Sequence, residues 1–339
     1  MKGAMRLKLF LLDNLIWVIL AVFFLYNALF TDSFLKPENL VNIFYHSSVL
    51  SMLVLGQGII LLTGNIDLSI ESTLAFAPAI AMLLSMKWIP GGLNPYVAIL
   101  ATLGVGALIG LMNGALVSRL GINSFILTLS VLIILRGLTL FLVPYSISRL
   151  GPVYGFLGSA RIGEIPVAVI LMLAAFLLMS VVLRSTPFGR HLLATGGNPT
   201  AAYVAGVPTK KMILLAFMMS GILAAVAGLL AAGRQDAVNN SMGKDMVMFT
   251  FAGAILGGCS LDGGKGTALG MLGGALLLGT ISNALTLMGI NVFILYAVYG
   301  FLIFVAVLLD RLRVKLRERI FFRENLRRLA AAEAATRAS

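Results

Sequence analysis

Apolar residues in this chain come in long runs, and the polar residues collect between them. Ten apolar segments stand out: 15–30, 47–62, 69–86, 96–117, 122–143, 165–183, 212–232, 245–258, 267–288 and 291–309. Several approach the roughly 20 residues a helix needs to cross a bilayer, and some are shorter. The pattern predicts an all-α polytopic membrane protein of about ten spans. A transmembrane domain would cover 1–310 and a tail 311–339. The short segments 69–86 and 245–258 are bounded by the polar or glycine-rich turns TGNIDLS and GGCSLDGGKG. Irregular backbone at membrane depth survives only where protein or a water-filled cavity covers it, so these segments predict discontinuous helices.

The longest polar interruption in the middle of the chain is 184–211, RSTPFGRHLLATGGNPTAAYVAGVPTKK. Asn198 is an N-cap residue type, Pro199 suits the first helical position, and Gly206 followed by Pro208 ends a helix. A short capped helix with a small-residue face, flanked by cations, is thus expected outside the membrane, built to be gripped by a partner.

The segment GINSFIL at 121–127 recurs as GINVFIL at 289–295, six identities in seven at an offset of 168. The same offset roughly superposes 47–62 on 212–232 and 96–117 on 267–288. Five spans separate the copies, so the second is inverted, with Asn123 inside and Asn291 outside. The repeats are expected over about 47–143 and 212–310, with a solute route at their interface. Glycines at four-residue spacing (Gly106, Gly110, Gly114; Gly270, Gly274) predict close helix crossings and nothing further.

Charge fixes the orientation. Of 25 Lys and Arg, six fall on loops assigned outside (Lys36, Lys87, Arg149, Arg161, Arg234, Lys244) and Arg136 falls within a span. The other eighteen lie on the opposite side, as the positive-inside rule demands. Both termini and the 184–211 island are therefore expected in the cytoplasm, the first span being uncleaved. The net charge of +12 reports orientation and points to no nucleic-acid partner. Cations alternate with apolar residues in the tail from Arg311 to Ile320, which predicts an amphipathic stretch along anionic membrane lipid.

Catalytic chemistry is not visible. GGKGT at 263–267 lacks the spacing of a phosphate loop, and the chain carries no HExxH, GxSxG or paired-carboxylate arrangement. With one cysteine and two distant histidines, neither a disulfide nor a metal site is expected, and no cofactor. Energy for pumping would have to come from a partner.

TGNIDLSIES at 63–72 is expected toward the cytoplasmic end of the early spans. Asp67 and Ser69 are N-cap types, and Glu71 suits the first turn of a helix. The segment reads either as simple capping or as part of a gate at the inner mouth. Asp67, Glu71 and Arg136 are ionisable groups at membrane depth and so functional candidates; no acid partner for Arg136 follows from the sequence. Gln57, Asn65, Asn113, Ser130, Ser282, Asn283 and Thr286 either line a route or bond between helices. Without an array of carboxylates along one helix, a proton or sodium relay has little support.

TGNIDLS, FILTLSVLIILRG, TPFGRHLLATGGNPTAAYVAGV and LGGCSLDGGKGTALGMLGGALLLG together resemble the permease subunits of ribose-type sugar ABC importers, from about Val49 to Asp310. The resemblance implies an importer with two permeases, identical or different, cytosolic ATPase subunits that bind ATP-Mg, and an extracytoplasmic solute-binding protein, all at a bacterial inner membrane. It implies that Gly197, Asn198, Pro199, Thr200, Ala201, Ala202, Tyr203, Val204, Ala205, Gly206 and Val207 form the coupling helix that docks on the ATPase. Where the family usually has glycines, this chain has Asn65, Glu71 and Ser130, which leaves the solute open between a sugar, a nucleoside, a branched-chain amino acid and a signalling molecule. A stand-alone secondary transporter is the alternative of a different class.

Overall fold

The computed structural model describes residues 14–291 and eight scattered positions between 294 and 308. The expected tenth span, the second repeat beyond Asn291 and the basic tail therefore lie mostly or wholly outside the described residues.

Helices dominate. In chain order they are α1 (Leu15–Phe30), α2 (Pro37–Leu62), α3 (Ile70–Leu83, running on as a π-helical turn Leu84–Trp88), α4 (Pro95–Leu120) and α5 (Ser124–Leu142). Then follow α6 (Pro152–Gly158), α7 (Val167–Ser185), α8 (Pro187–Gly197), α9 (Pro199–Val204), α10 (Thr209–Gln235), α11 (Met246–Leu256) and α12 (Ala268–Leu287). Seven of these are long and apolar enough to cross a bilayer, and α1 and α11 are shorter apolar helices. Among the described residues, sheet is confined to β1 (Ile147–Ser148), β2 (Arg161–Ile162), β3 (Ile165–Pro166) and β4 (Ala237–Val238), where β1 pairs antiparallel with β4 and β2 with β3.

The core is built on α2, α10 and the glycine seams around them. The small residues of α4 let it cross α10 backbone to backbone: a Cβ on Gly106 would overlap the Gly221 carbonyl, one on Gly110 the Phe217 carbonyl, and one on Gly114 would lie 2.9 Å from the Leu214 Cα. Gly270 and Gly274 admit α11 to α12 in the same way, against the Gly257 and Gly253 carbonyls. The four-residue spacing thus marks two helix crossings, as expected. By contrast α5 and α7 leave broad apolar faces uncovered, including Ile133, Phe141, Leu177 and Leu178, which suits lipid contact.

Segment bounds shift where polar residues find partners. α2 starts at Pro37 instead of near 47, because its polar first turns are satisfied. Asn39 and Asn283 exchange side-chain hydrogen bonds at 3.1 and 2.8 Å, and the Tyr45 hydroxyl donates to the Gly158 carbonyl at 2.9 Å. One end of the bundle gathers Tyr45, Gly158, Arg234 and the β1–β4 pair. The other gathers Leu62, Gly196 and Gly264. The 184–211 island and the 257–266 turn therefore share one end, as the alternation of spans requires.

Candidate functional site

The island folds as two helices where the sequence pointed to one. Thr186 caps α8 by accepting from the Gly189 amide at 3.4 Å, with Pro187 at the first position. The Thr-Pro pair at 186–187 is the sequence signal for this helix, of the same kind as the Asn-Pro pair at 198–199. Asn198 then caps α9, its Oδ1 accepting from the Ala201 amide at 2.9 Å, and Gly206 ends the turn at φ +83°. Only Ala202 of α9 is buried; Tyr203 is 70% and Val204 81% exposed. An aromatic and a branched side chain thus stand free on a helix outside the apolar spans.

Behind α9, the end of α8 meets the bundle backbone to backbone at Gly196 and Gly197, one turn past the buried Leu192. A Cβ on Gly196 would overlap the Leu62 carbonyl and come within 2.6 Å of the Gly264 amide, which itself donates to that carbonyl at 3.0 Å. A Cβ on Gly263 would lie 2.7 Å from the Gly196 carbonyl and 2.8 Å from the Gly64 amide, and one on Gly264 2.5 Å from the Gly197 Cα. Three segments, the end of α2, the end of α8 and the turn between α11 and α12, meet at this glycine joint. The GGCSLDGGKG stretch, which matches no phosphate loop, serves here as a surface another backbone can touch.

From that joint the chain climbs back into the bundle. Residues 63–69 are not helical, and their amides are answered by hydroxyls on the first turns of α5: Ile66 donates to Ser124 Oγ at 3.2 Å and Leu68 to Thr128 Oγ1 at 2.9 Å. Ser124 and Thr128 carry one sequence signal for this role, a spacing of four on one face of a helix. The climb ends on a buried network. Asp67 Oδ1 accepts from the Ser69 amide and hydroxyl at 2.9 and 2.6 Å, and Asp67 Oδ2 accepts from Ser220 Oγ at 3.2 Å. Asn113 Nδ2 donates to Ser69 Oγ at 2.9 Å. Ser69 precedes α3 but caps it with no side-chain bond, because its hydroxyl is committed to Asp67. Ser220 lies eleven residues into α10, about 16 Å from that end at 1.5 Å per residue. Thr128, however, is only four residues into α5 and Asn113 seven from the end of α4, so Asp67 and Ser69 sit one to two turns inside the end that holds Thr63 and Gly64, the end toward which the whole segment was expected.

Glu71, one turn on, meets Arg136. Its Oε1 accepts from Arg136 Nη2 at 3.1 Å and its Oε2 from the Val247 amide at 3.0 Å, which caps the start of α11. Arg136 Nη1 donates to the Asn240 and Met242 carbonyls, both at 3.0 Å. Both side chains are largely buried, 7% exposed for Glu71 and 17% for Arg136. The ion pair therefore ties α3 and α5 to the loop that opens the half-length helix α11. It is the acid partner that spacing alone left unassigned.

The remaining candidates scatter. Asn65 bonds locally to Thr63. Ser130 is exposed on α5 and bonds back to the Ile126 carbonyl, so it joins no polar cluster among the described residues. Asn283 sits at the far end, where it lines a cavity of about 340 Å³ between α2, α11 and α12 with His46, Ser47, Ser282 and Thr286. His46 there contacts the Arg234 guanidinium, which also lies 4.8 Å over the Tyr45 ring. Gln57 is fully buried, and neither side-chain polar atom has a partner among the described residues. Its spacings of eleven and seven from His46 and Leu50 put it on the α2 stripe that lines the cavity, deeper in the bundle.

Residues 39–307 match the family described as the permease component of branched-chain amino acid transport systems. The chain is 35% identical to the ribose import permease protein of Bacillus subtilis (strain 168), covering 84% of this chain and 88% of that one. It is 34% identical to the D-allose transport system permease protein of Escherichia coli (strain K12), over 87% and 89% of the two chains. With the galactose/methyl galactoside import permease protein of the same strain it shares 32% identity over 90% and 95%. No solved structure matches.

Proposed function

Since the chain belongs to the permease family of branched-chain amino acid transport systems, we propose that it is the membrane subunit of a bacterial ABC importer for a sugar or sugar-like solute. The sugar class rests on relatives named for ribose, allose and galactose import. Its partners are then cytosolic ATPase subunits that bind ATP-Mg, an extracytoplasmic solute-binding protein and a second permease. The chain crosses an inner membrane with its termini and the 184–211 island in the cytoplasm, and Asn123 and Asn291 on opposite sides.

One observation carries the coupling assignment: an exposed face on α9 backed by the glycine joint. Force applied at Tyr203 and Val204 would reach α2 and the α11–α12 turn through the backbone contacts of Gly196, Gly263 and Gly264. The two elements displaced are those that wall the 340 Å³ cavity and bear Gln57. The cluster of Asp67, Ser69, Asn113 and Glu71 then acts as the gate, because it joins α3, α4, α5, α10 and α11. Hydroxyl and amide groups on the route suit a neutral, many-hydroxyl solute, which exchanges hydrogen bonds with water for hydrogen bonds with protein.

Tyr203→Ser with Val204→Ser tests this. The pair removes the exposed apolar contact and touches nothing in the bundle. Copurification of the ATPase subunits should fall at least tenfold while the permease stays monodisperse in detergent. Unchanged copurification would place docking elsewhere, and solute accumulation by the chain reconstituted alone would overturn the importer reading.

A further inference from the structure

A second cavity, of about 560 Å³, opens between the start of α1, the end of α7, α8 and the first turn of α12. Its lining divides by chemistry. Arg184, in the last turn of α7, and Arg190, in α8, supply two cations, and no carboxylate lines it among the described residues. Neither guanidinium makes an ion pair there among the described residues. The N-terminus of the 20-residue α12 opens into the same space at Thr267 and Leu269, adding roughly half a positive charge from its dipole. Against this cationic rim stand the Trp17 ring and the Leu193 and Leu269 side chains.

We propose that this cavity binds the headgroup of an anionic glycerophospholipid, with Arg184 and Arg190 holding the phosphate and Trp17, Leu193 and Leu269 seating the glycerol and the upper acyl chain. Three features favour a lipid over free phosphate. Arg184 closes a 19-residue apolar span, which puts the rim at headgroup level, where lipid phosphate is already concentrated. Tryptophan belongs at that level, with an apolar body and one polar tip. A soluble phosphate would use the cations but leave the apolar wall against water. Guanidinium forks match phosphate oxygens bidentately, and pockets of this kind between spans hold lipid headgroups. The site touches Gly266, next to the glycine joint, and Leu193, one turn before it, so a bound lipid would brace the segment that carries α9. The inference requires a membrane-spanning chain and does not depend on the coupling assignment.

The test is native mass spectrometry of the full chain in detergent, titrated with phosphatidylglycerol, phosphatidylcholine or inorganic phosphate. Phosphatidylglycerol should bind at least tenfold more tightly than phosphatidylcholine. At about fivefold per cation removed, Arg184→Gln and Arg190→Gln should each weaken it about fivefold, and the double variant about 25-fold. Arg119→Gln, at the end of α4 away from this cavity, should leave it unchanged. Equal retention of the two lipids, or a double variant that binds as the parent does, would overturn the site. Displacement of phosphatidylglycerol by inorganic phosphate at equal concentration would show a soluble anion site instead. The single substitutions alter exposed side chains, so either one decides the matter if the double variant fails to fold.

Discussion

Replacing Arg136 with methionine strips three bonds from one buried point. The Glu71 carboxylate keeps only the Val247 amide at 3.0 Å, and the Asn240 and Met242 carbonyls lose their donor. A buried charge left without its partner costs about 3–5 kcal/mol. Glu71→Gln is milder. A neutral amide oxygen still accepts from Val247 or from Arg136, and the guanidinium keeps its two carbonyls, so the loss is one charge-assisted bond, about 1.5–3 kcal/mol. The two costs should not add. In the double variant no unpaired charge remains, and the total should fall short of the sum by about 1–3 kcal/mol. Unfolding midpoints of the four proteins, measured by titrating detergent-solubilised chain with dodecyl sulfate, give the cycle directly. An Arg136→Met variant within about 0.5 kcal/mol of the parent, or additivity to within about 0.5 kcal/mol, would mean that the pair bears no weight in the fold. Because the pair is enclosed, raising the salt concentration should barely change the coupling.

Gly196→Ala should uncouple the island, since its Cβ would overlap the Leu62 carbonyl. Solute-stimulated ATPase activity of the assembled importer should drop at least tenfold, whereas Gly197→Ala, whose Cβ meets nothing nearer than 4.0 Å, should retain it. Gln57→Leu replaces two buried polar atoms without a partner among the described residues with apolar surface of similar size. Stability should hold or rise by about 1–2 kcal/mol while the transport rate falls; a loss of stability with normal transport would mean that Gln57 is structural. Cysteines at positions 123 and 291 should react with membrane-impermeant thiol reagents from opposite sides, and labelling from one side would refute the inversion.

How much of this was legible from the chain depends on whether a signal was local. Asn198 with Pro199, and the glycines of α4, act within a turn or at a single crossing, so their residue types told the outcome. The α10 partner that those glycines meet could not be named, because any close-packed helix would satisfy them. Arg136 was visible as an anomaly in an apolar span, but its acid lies 65 positions away, and spacing has no hold on such a pair. Ser69 misled for a related reason. A residue type that caps in isolation was recruited by Asp67 once the chain turned back into the bundle. The π-helical turn at Leu84–Trp88 has no sequence signal that we can identify. Ser130 is polar in an apolar helix, yet bonding back to its own carbonyl row let it sit on an outer face.

The joint of Gly64, Gly196, Gly263 and Gly264 has a mechanical consequence. Side chains are compliant, so a linkage made of them absorbs small displacements before passing any on. Peptide planes in direct contact, such as Gly196 against the Leu62 carbonyl, leave less slack than a side-chain contact would. Such a linkage also leaves little room for tuning, because a side chain at Gly196, Gly263 or Gly264 would collide with the facing backbone. Under the proposed docking at α9, adjustment of how strongly the two partners engage would fall to its free face, where Tyr203 and Val204 stand exposed.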